Sequence, residues 1–418
     1  MTRVLRLLRR PAAGAVVGQG TQALAGLVLL VAAARHLGAA GLATFSLVYG
    51  AVVLVTAVAS GMVGDSLTVL DRSSPRTRAG LHVWAVLISG GAGVSGALLA
   101  VATGILPTWA GLLLGLATTA FVVEDTLRRL LMATGRFWSL PAVDGTSLVV
   151  ALGTLIAWAS LGSLDLAAFV VALLAGQTTA SFVAWSCLPV EERPTGPWRA
   201  PALAEVWGFG VWRAAAQTVR PGLLTALRIV VVGLAGAATY GPLEAARVYT
   251  APALVLVAGL GSYLLPRYAA MQNGPARVML RAADRSALGV ALAVAAISAV
   301  AVLLQPAVEP LLTGGDYAMP VAAVVGWGVY AIAAAVLLPY SAAATVHRRQ
   351  RRVLALRLVE LVGLVAVAVL IALADGGEQW APMGLAVGPL LVAVAVRQAV
   401  LAPLARDEVP ASGRAVLA

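Results

Sequence analysis

The stretch Glu205–Gly236, EVWGFGVWRAAAQTVRPGLLTALRIVVVGLAG, decides how this chain is read. Its length and apolarity mark a membrane-crossing helix, yet Arg213, Arg220 and Arg228 lie inside it. An arginine at the bilayer centre costs roughly 2.5–3.5 kcal/mol on insertion scales. Charges carried at that cost face a water-filled cavity or a ligand. Spacings of 7 and 8 residues put the three side chains within about 80° of one another on a helix. At a rise of ~1.5 Å per residue, Arg213 to Arg228 covers about 22 Å of a ~30 Å hydrocarbon core. The pattern is that of a cationic track across a membrane.

Working outward, the whole chain supports a membrane setting. Of 418 residues, 61% are hydrophobic and only 11% charged, and the mean hydropathy is +0.93. Soluble domains carry roughly 25% charged residues. Apolar runs of spanning length recur and predict an all-α polytopic membrane protein with about 12 transmembrane helices. The spans are expected near 14–34, 41–63, 80–103, 106–127, 141–161, 164–187, 206–234, 242–265, 284–305, 318–346, 353–374 and 381–403. The first run, after MTRVLRLLRR, resembles a signal peptide but is long enough to be a retained span.

Charge placement tests that count. All 29 basic side chains are arginine. With the N-terminus in the cytoplasm, 23 of them fall in or beside inner connections and only Arg35 in an outer one. The outer connections instead carry Asp165, Glu309, Asp316, Asp375 and Glu378. The longest of them is expected at about Pro306–Tyr317. This positive-inside bias places both termini in the cytoplasm. The net charge of +11 then reflects topology and attraction to anionic membrane lipids, not nucleic-acid binding. The lone Cys187 cannot form an internal disulfide, and no His/Cys/Asp/Glu spacing suits a metal. No phosphate-binding glycine loop or nucleophile motif is present, so no cofactor and no enzymatic activity are expected.

The halves repeat. Residues 41–61 laid over 241–261 match at seven of 21 positions, including Gly41/Gly241, Tyr49/Tyr249 and Gly61/Gly261. Six spans per half means both halves enter from the same side, as lobes related by a pseudo-two-fold axis along the membrane normal. The expected organisation is an N-terminal six-helix lobe at 1–188, a proline-rich cytoplasmic linker at 189–204, a second lobe at 205–405 and a short cytoplasmic tail at 406–418. Such folds hold substrate between lobes that rock to give alternating access.

Ala34-Arg35-His36-Leu37-Gly38 followed by Gly41-Leu42-Ala43-Thr44-Phe45-Ser46-Leu47 resembles the joint between spans 1 and 2 of polysaccharide flippases. Val232-Gly233, Tyr240-Gly241 and Glu244-Ala245-Ala246 resemble the joint between spans 7 and 8, and Leu265-Pro266-Arg267-Tyr268-Ala269 the end of span 8. The chain thus resembles the polysaccharide (O-antigen type) flippase family of the multidrug/oligosaccharidyl-lipid/polysaccharide exporter superfamily. The resemblance implies a transporter of the bacterial cytoplasmic membrane. It would move an undecaprenyl-pyrophosphate-linked oligosaccharide from inner to outer leaflet for cell-surface polysaccharide biosynthesis. Its partners would be the lipid-linked glycan and, in the same pathway, a polymerase and glycosyltransferases.

Arginine suits that cargo, because guanidinium stays charged and pairs bidentately with phosphate. Arg213, Arg220, Arg228 and Arg247 are therefore candidate substrate-binding residues, with Gln19 and Gln22 of span 1 as candidates facing the same lumen. Alternatives stay open for most of them. Arg213 and Arg228 can snorkel to the interfaces, Glu244 can pair with either Arg228 or Arg247, and Gln19, Thr21 and Gln22 can bond neighbouring helices. Glu244 and Asp144 are candidate coupling or structural acids. Pro221 is expected to kink span 7. Rival functions are a lipid II flippase, a cation-coupled multidrug exporter of the same fold, and a membrane glycosyltransferase or ligase. Drug exporters of the superfamily commonly place an acid deep in span 1, and residues 14–34 contain none.

Overall fold

The computed structural model describes residues 11–407 apart from 197, 270, 272, 273 and 348. The arginines of residues 1–10, Arg348, the tail from 408 onward and the side chain of Gln19 lie outside the described residues. Structure is 88% helix, with no strand among the described residues.

Twelve helices fall on the twelve expected spans. They are α1 (Pro11–His36), α2 (Gly38–Ala59), α3 (Pro75–Thr103), α4 (Thr108–Ala133), α5 (Leu140–Ala159) and α6 (Leu166–Cys187). Then come α7 (Leu203–Ala235), α8 (Ala237–Ala269), α9 (Ala276–Thr313), α10 (Val321–Val346), α11 (Gln350–Arg357, continued by Val362–Leu373) and α12 (Ala381–Ala395). Two helices run on through π-helical turns. Ser60–Gly64 carries α2 into Asp65–Val69, and Val396–Leu401 carries α12 into Ala402–Asp407. Among the described residues, ten helices are long and apolar enough to cross a membrane; α1 and α8 are outside that set.

One expected connection is helical instead. The outer loop expected at Pro306–Tyr317 is largely the last turns of α9, which contains Pro306 and Pro310 and ends at Thr313. Gln305 donates to Glu309 one turn on and, at 2.9 Å, to the Met319 carbonyl, tying this helix end to the following loop. Gly314, with φ +69°, closes the helix in the left-handed conformation that suits glycine. In α7, Pro221 sits inside a helix assigned without a break from Leu203 to Ala235.

The repeat is visible in the packing. The chain divides into two compact units, Met1–Thr225 and Ala226–Ala418. In the first, α3 packs on α4, α4 on α6 and α5 on α6. In the second, the helices six places later pair the same way, α9 on α10, α10 on α12 and α11 on α12. The tight joints also correspond. Gly38 (φ +65°) starts α2 and Gly236 (φ +91°) precedes α8, a left-handed conformation that other residues adopt at a cost. The division between units falls inside α7, so its first two-thirds pack with the first unit.

Small residues set the helix distances. A Cβ on Gly93 of α3 would meet the Gly115 carbonyl and Thr119 of α4, and one on Gly363 of α11 would meet the Leu385 carbonyl of α12. Lipid offers no hydrophobic drive between helices, so close backbone approach carries the association. Unit cores gather Met62, Leu127, Leu131, Leu140 and Val143 in the first, and Tyr268, Met279, Leu337, Tyr340 and Val392 in the second. Leu99, Ile156, Phe182, Leu303 and Leu373 stay exposed, as hydrocarbon-facing side chains do.

Candidate functional site

The three arginines of α7 have three different surroundings. Arg213 lies near the start of the helix and is 45% exposed. Its Nε donates to Asp65 Oδ2 at 2.8 Å, and its Nη2 lies 2.7 Å from the same oxygen. Gln217, one turn on, donates to that oxygen too, at 3.4 Å. Asp65 is the first residue after the π-helical turn Ser60–Gly64, whose five residues are all buried. The two backbones nearly touch here. A Cβ on Gly61 would overlap Arg213 and Ala214, and one on Gly210 would overlap Met62. Farther toward the start of α7, Trp84 of α3 donates to the Leu203 carbonyl at 3.1 Å and stacks on Trp207.

Arg220 is half-buried and has no hydrogen-bond or ion-pair partner among the described residues of its unit. A charged group held partly out of water without a partner is costly. Pro221 follows it directly.

Arg228 belongs to a buried network in the second unit. Glu244, fully buried, lies 3.6 Å from Arg228 and accepts from Arg247 at 2.6 Å. It also accepts the Tyr240 hydroxyl at 2.8 Å. Trp327 roofs this corner by donating to the Leu243 carbonyl at 2.8 Å. The sequence puts Glu244 within reach of either Arg228 or Arg247; the structure gives it both and adds Tyr240.

Asp144 sits in a separate buried network in the first unit. Arg128, 1% exposed, reaches Asp144 through Nε at 3.1 Å and Nη2 at 3.3 Å, and also donates to the Gly18 carbonyl. Arg129 pairs with Asp125 at 3.7 Å and donates to Ser60, which in turn donates to Asp125 at 2.5 Å. Glu124 is buried among these charges. Arg129 and Asp125 thus pair within α4, whereas Arg128 turns to α5 in a buried setting. Gln22 is half-buried in α1, and Gln19's side chain lies outside the described residues. The structure therefore groups Arg213 with Asp65 and Gln217, groups Arg228 with Glu244 and Arg247, and gives Arg220 no partner among the described residues of its unit.

Two groupings escaped the sequence. Asp65 stands far from α7 in the chain, and its only signal was an acid just past the end of an apolar run. Asp284, Tyr340 and Arg397 form a second such group. Asp284 accepts from Arg397 at 2.9 and 3.0 Å and from the Tyr340 hydroxyl at 2.9 Å, with Arg397 in the π-helical turn after α12. Among the described residues, no group of three or more His, Cys, Asp or Glu side chains is placed to hold a metal ion.

No protein-family model matches the chain, and none of the curated proteins matches its sequence. Solved structures do match along nearly its full length. An inward-facing multidrug resistance MATE family transporter of the MOP superfamily aligns with a TM-score of 0.75 at 16% identity, over 93% of this chain and 96% of that one. An outward-facing structure of a transporter so described aligns at 0.63 and 15%, over 96% and 98%. A eukaryotic MATE transporter aligns at 0.67 and 14%, over 94% and 96%. At such identities the likeness speaks to architecture alone, and the architecture of this all-helical chain is that of the MATE transporters.

Proposed function

We propose that the protein is a flippase that carries a lipid-linked oligosaccharide diphosphate from the inner to the outer leaflet of the bacterial cytoplasmic membrane by alternating access between two six-helix lobes. One observation carries this reading: Arg220, halfway along a membrane-crossing helix, is half-buried and has no protein counter-ion within its unit. A cation at that depth with no acid on it among the described residues of its unit suits an anionic ligand. A diphosphate headgroup fits, since guanidinium binds phosphate bidentately. Arg213 and Arg228 flank it along α7, nearer the inner and outer ends. Gln22 of α1, the repeat counterpart of α7, is a further candidate contact for the headgroup. In this reading both termini are cytoplasmic, residues 189–204 link the lobes, and arginine-rich inner loops hold anionic lipids. The enzymes that build and polymerise the glycan work alongside.

A second reading is favoured by the fold itself. The similar structures are described as multidrug resistance transporters, and drug export would suit the same architecture. Against it stand Arg220 and the lack of an acid in residues 14–34, since many exported drugs are cations. The experiment is glycan export in cells carrying Arg220 variants, with insertion checked by membrane quantitation. Arg220→Ala is expected to lower export at least about tenfold, the scale of one lost charge-assisted contact, and Arg220→Lys to retain part of it. Full export by Arg220→Ala would sink the phosphate-binding role of Arg220, and ethidium extrusion that depends on the protein would decide for the second reading.

A further inference from the structure

The first two-thirds of α7 rest on the first unit through two kinds of contact. Near Leu203 the helix is pinned to α3. Trp84 donates to the Leu203 carbonyl, Thr77 donates to Glu205 at 3.3 Å, and Trp84 stacks on Trp207. Two turns on, from Gly210 to Gln217, it lies against the end of α2. That contact has a different character. It is a close backbone approach through Gly61 and Gly210, with the Met62 sulfur against Gly210 and Met62 and Ala214 in one apolar core, so van der Waals contact holds the two surfaces. What spans them in charge is Asp65, which collects Arg213 and Gln217 on a single carboxylate oxygen.

The pair is unlike the buried ones. Arg128 and Asp144 are 1% and 5% exposed, whereas Arg213 is 45% exposed. Its guanidinium is therefore within reach of an incoming anion. Asp65 offers one negative charge, while a diphosphate offers more charge and pairs of oxygens at the spacing a guanidinium prefers. We propose, on the anionic-substrate reading above, that Asp65 is an internal stand-in for the substrate headgroup. It holds Arg213, and with it the middle of α7, against α2 until a diphosphate takes Arg213 over and frees the helix to swing about its anchor on α3.

The test uses the full-length protein with Cys187→Ser and spin labels on cysteines replacing Val69 and Ala215, both exposed and on either side of the contact. Distances are measured by pulsed electron resonance in lipid nanodiscs. Asp65→Asn and Arg213→Ala are each expected to raise the long-distance population roughly threefold, the scale of one exposed ion pair. The double exchange Asp65→Arg with Arg213→Asp restores the short distance. Inorganic pyrophosphate lengthens the distance in the unmutated pair, at an ionic strength where sodium chloride leaves it unchanged. Unchanged distances in both single variants overturn the proposal. So does an equal response to chloride and pyrophosphate, which reduces the effect to screening. Export in Arg220→Ala cells reports separately: full export with an intact pyrophosphate response refutes the role of Arg220 in binding the headgroup and leaves the Asp65 latch standing. Lost export with no pyrophosphate response refutes the latch alone.

Discussion

At the scale of single residues, two arginine–aspartate pairs in the same unit have opposite jobs, and burial decides which. Arg128 and Asp144 are almost wholly withdrawn from solvent. Removing the carboxylate strands a buried guanidinium, which costs about 3–5 kcal/mol. Arg213 and Asp65 are far more open, and exposed pairs contribute at most about 1 kcal/mol. Asp144→Ala is therefore expected to lower the unfolding temperature of the purified protein sharply, while Asp65→Ala barely moves it. Near-equal losses would remove the distinction. The charges of α7 were legible from the sequence because each broke an apolar run. Glu244, close in the chain, was legible as a partner for Arg228; the partner of Arg213 was not. Asp65 lies 148 residues from Arg213, and no spacing rule reaches that far. For Arg128 the local rule misled, because Glu124 at i−4 offers a pair on paper whereas the helix face turns Arg128 toward α5.

Whole elements were easier to read. A spanning helix needs a long apolar run bounded by charge, and that signal survives without any knowledge of neighbours. The sequence ends α9 near residue 305, whereas the helix runs through Pro306 and Pro310 to Thr313, because a helix accommodates proline where its lost hydrogen bond is met elsewhere. The π-helical turns left no trace, since the same residue types build ordinary helix. Between elements, glycines set the spacing, and a paired substitution tests it. Gly93 of α3 faces the Gly115 carbonyl and Thr119, whereas Gly90 has nothing within 4 Å. Gly93→Leu is expected to destabilise by about 1–3 kcal/mol through overpacking and to reduce membrane yield. Gly90→Leu, pointing into open space, is expected to be tolerated in the same thermal assay.

At the scale of the molecule, the repeat was faint in identity but plain in packing order, because lipid-facing positions tolerate any apolar residue while helix pairing does not. Topology rests on arginine placement and is directly measurable. A fluorescent protein fused after Asp407 is expected to fluoresce, and alkaline phosphatase inserted at Gly314–Asp316 to be active; the reverse pattern would invert the chain in its membrane. One feature of α7 bears on how that membrane meets the protein. Pro221 has no amide hydrogen, so the peptide oxygen of Gln217, four residues earlier, lacks its usual helical donor. An unmet carbonyl in hydrocarbon costs several kcal/mol. On the flippase reading this turn of α7, beside Arg220, is wetted, by water in the resting protein and by sugar hydroxyls when cargo displaces it. The proline then makes the middle of a transmembrane helix a place where solvent, rather than lipid, is the neighbour.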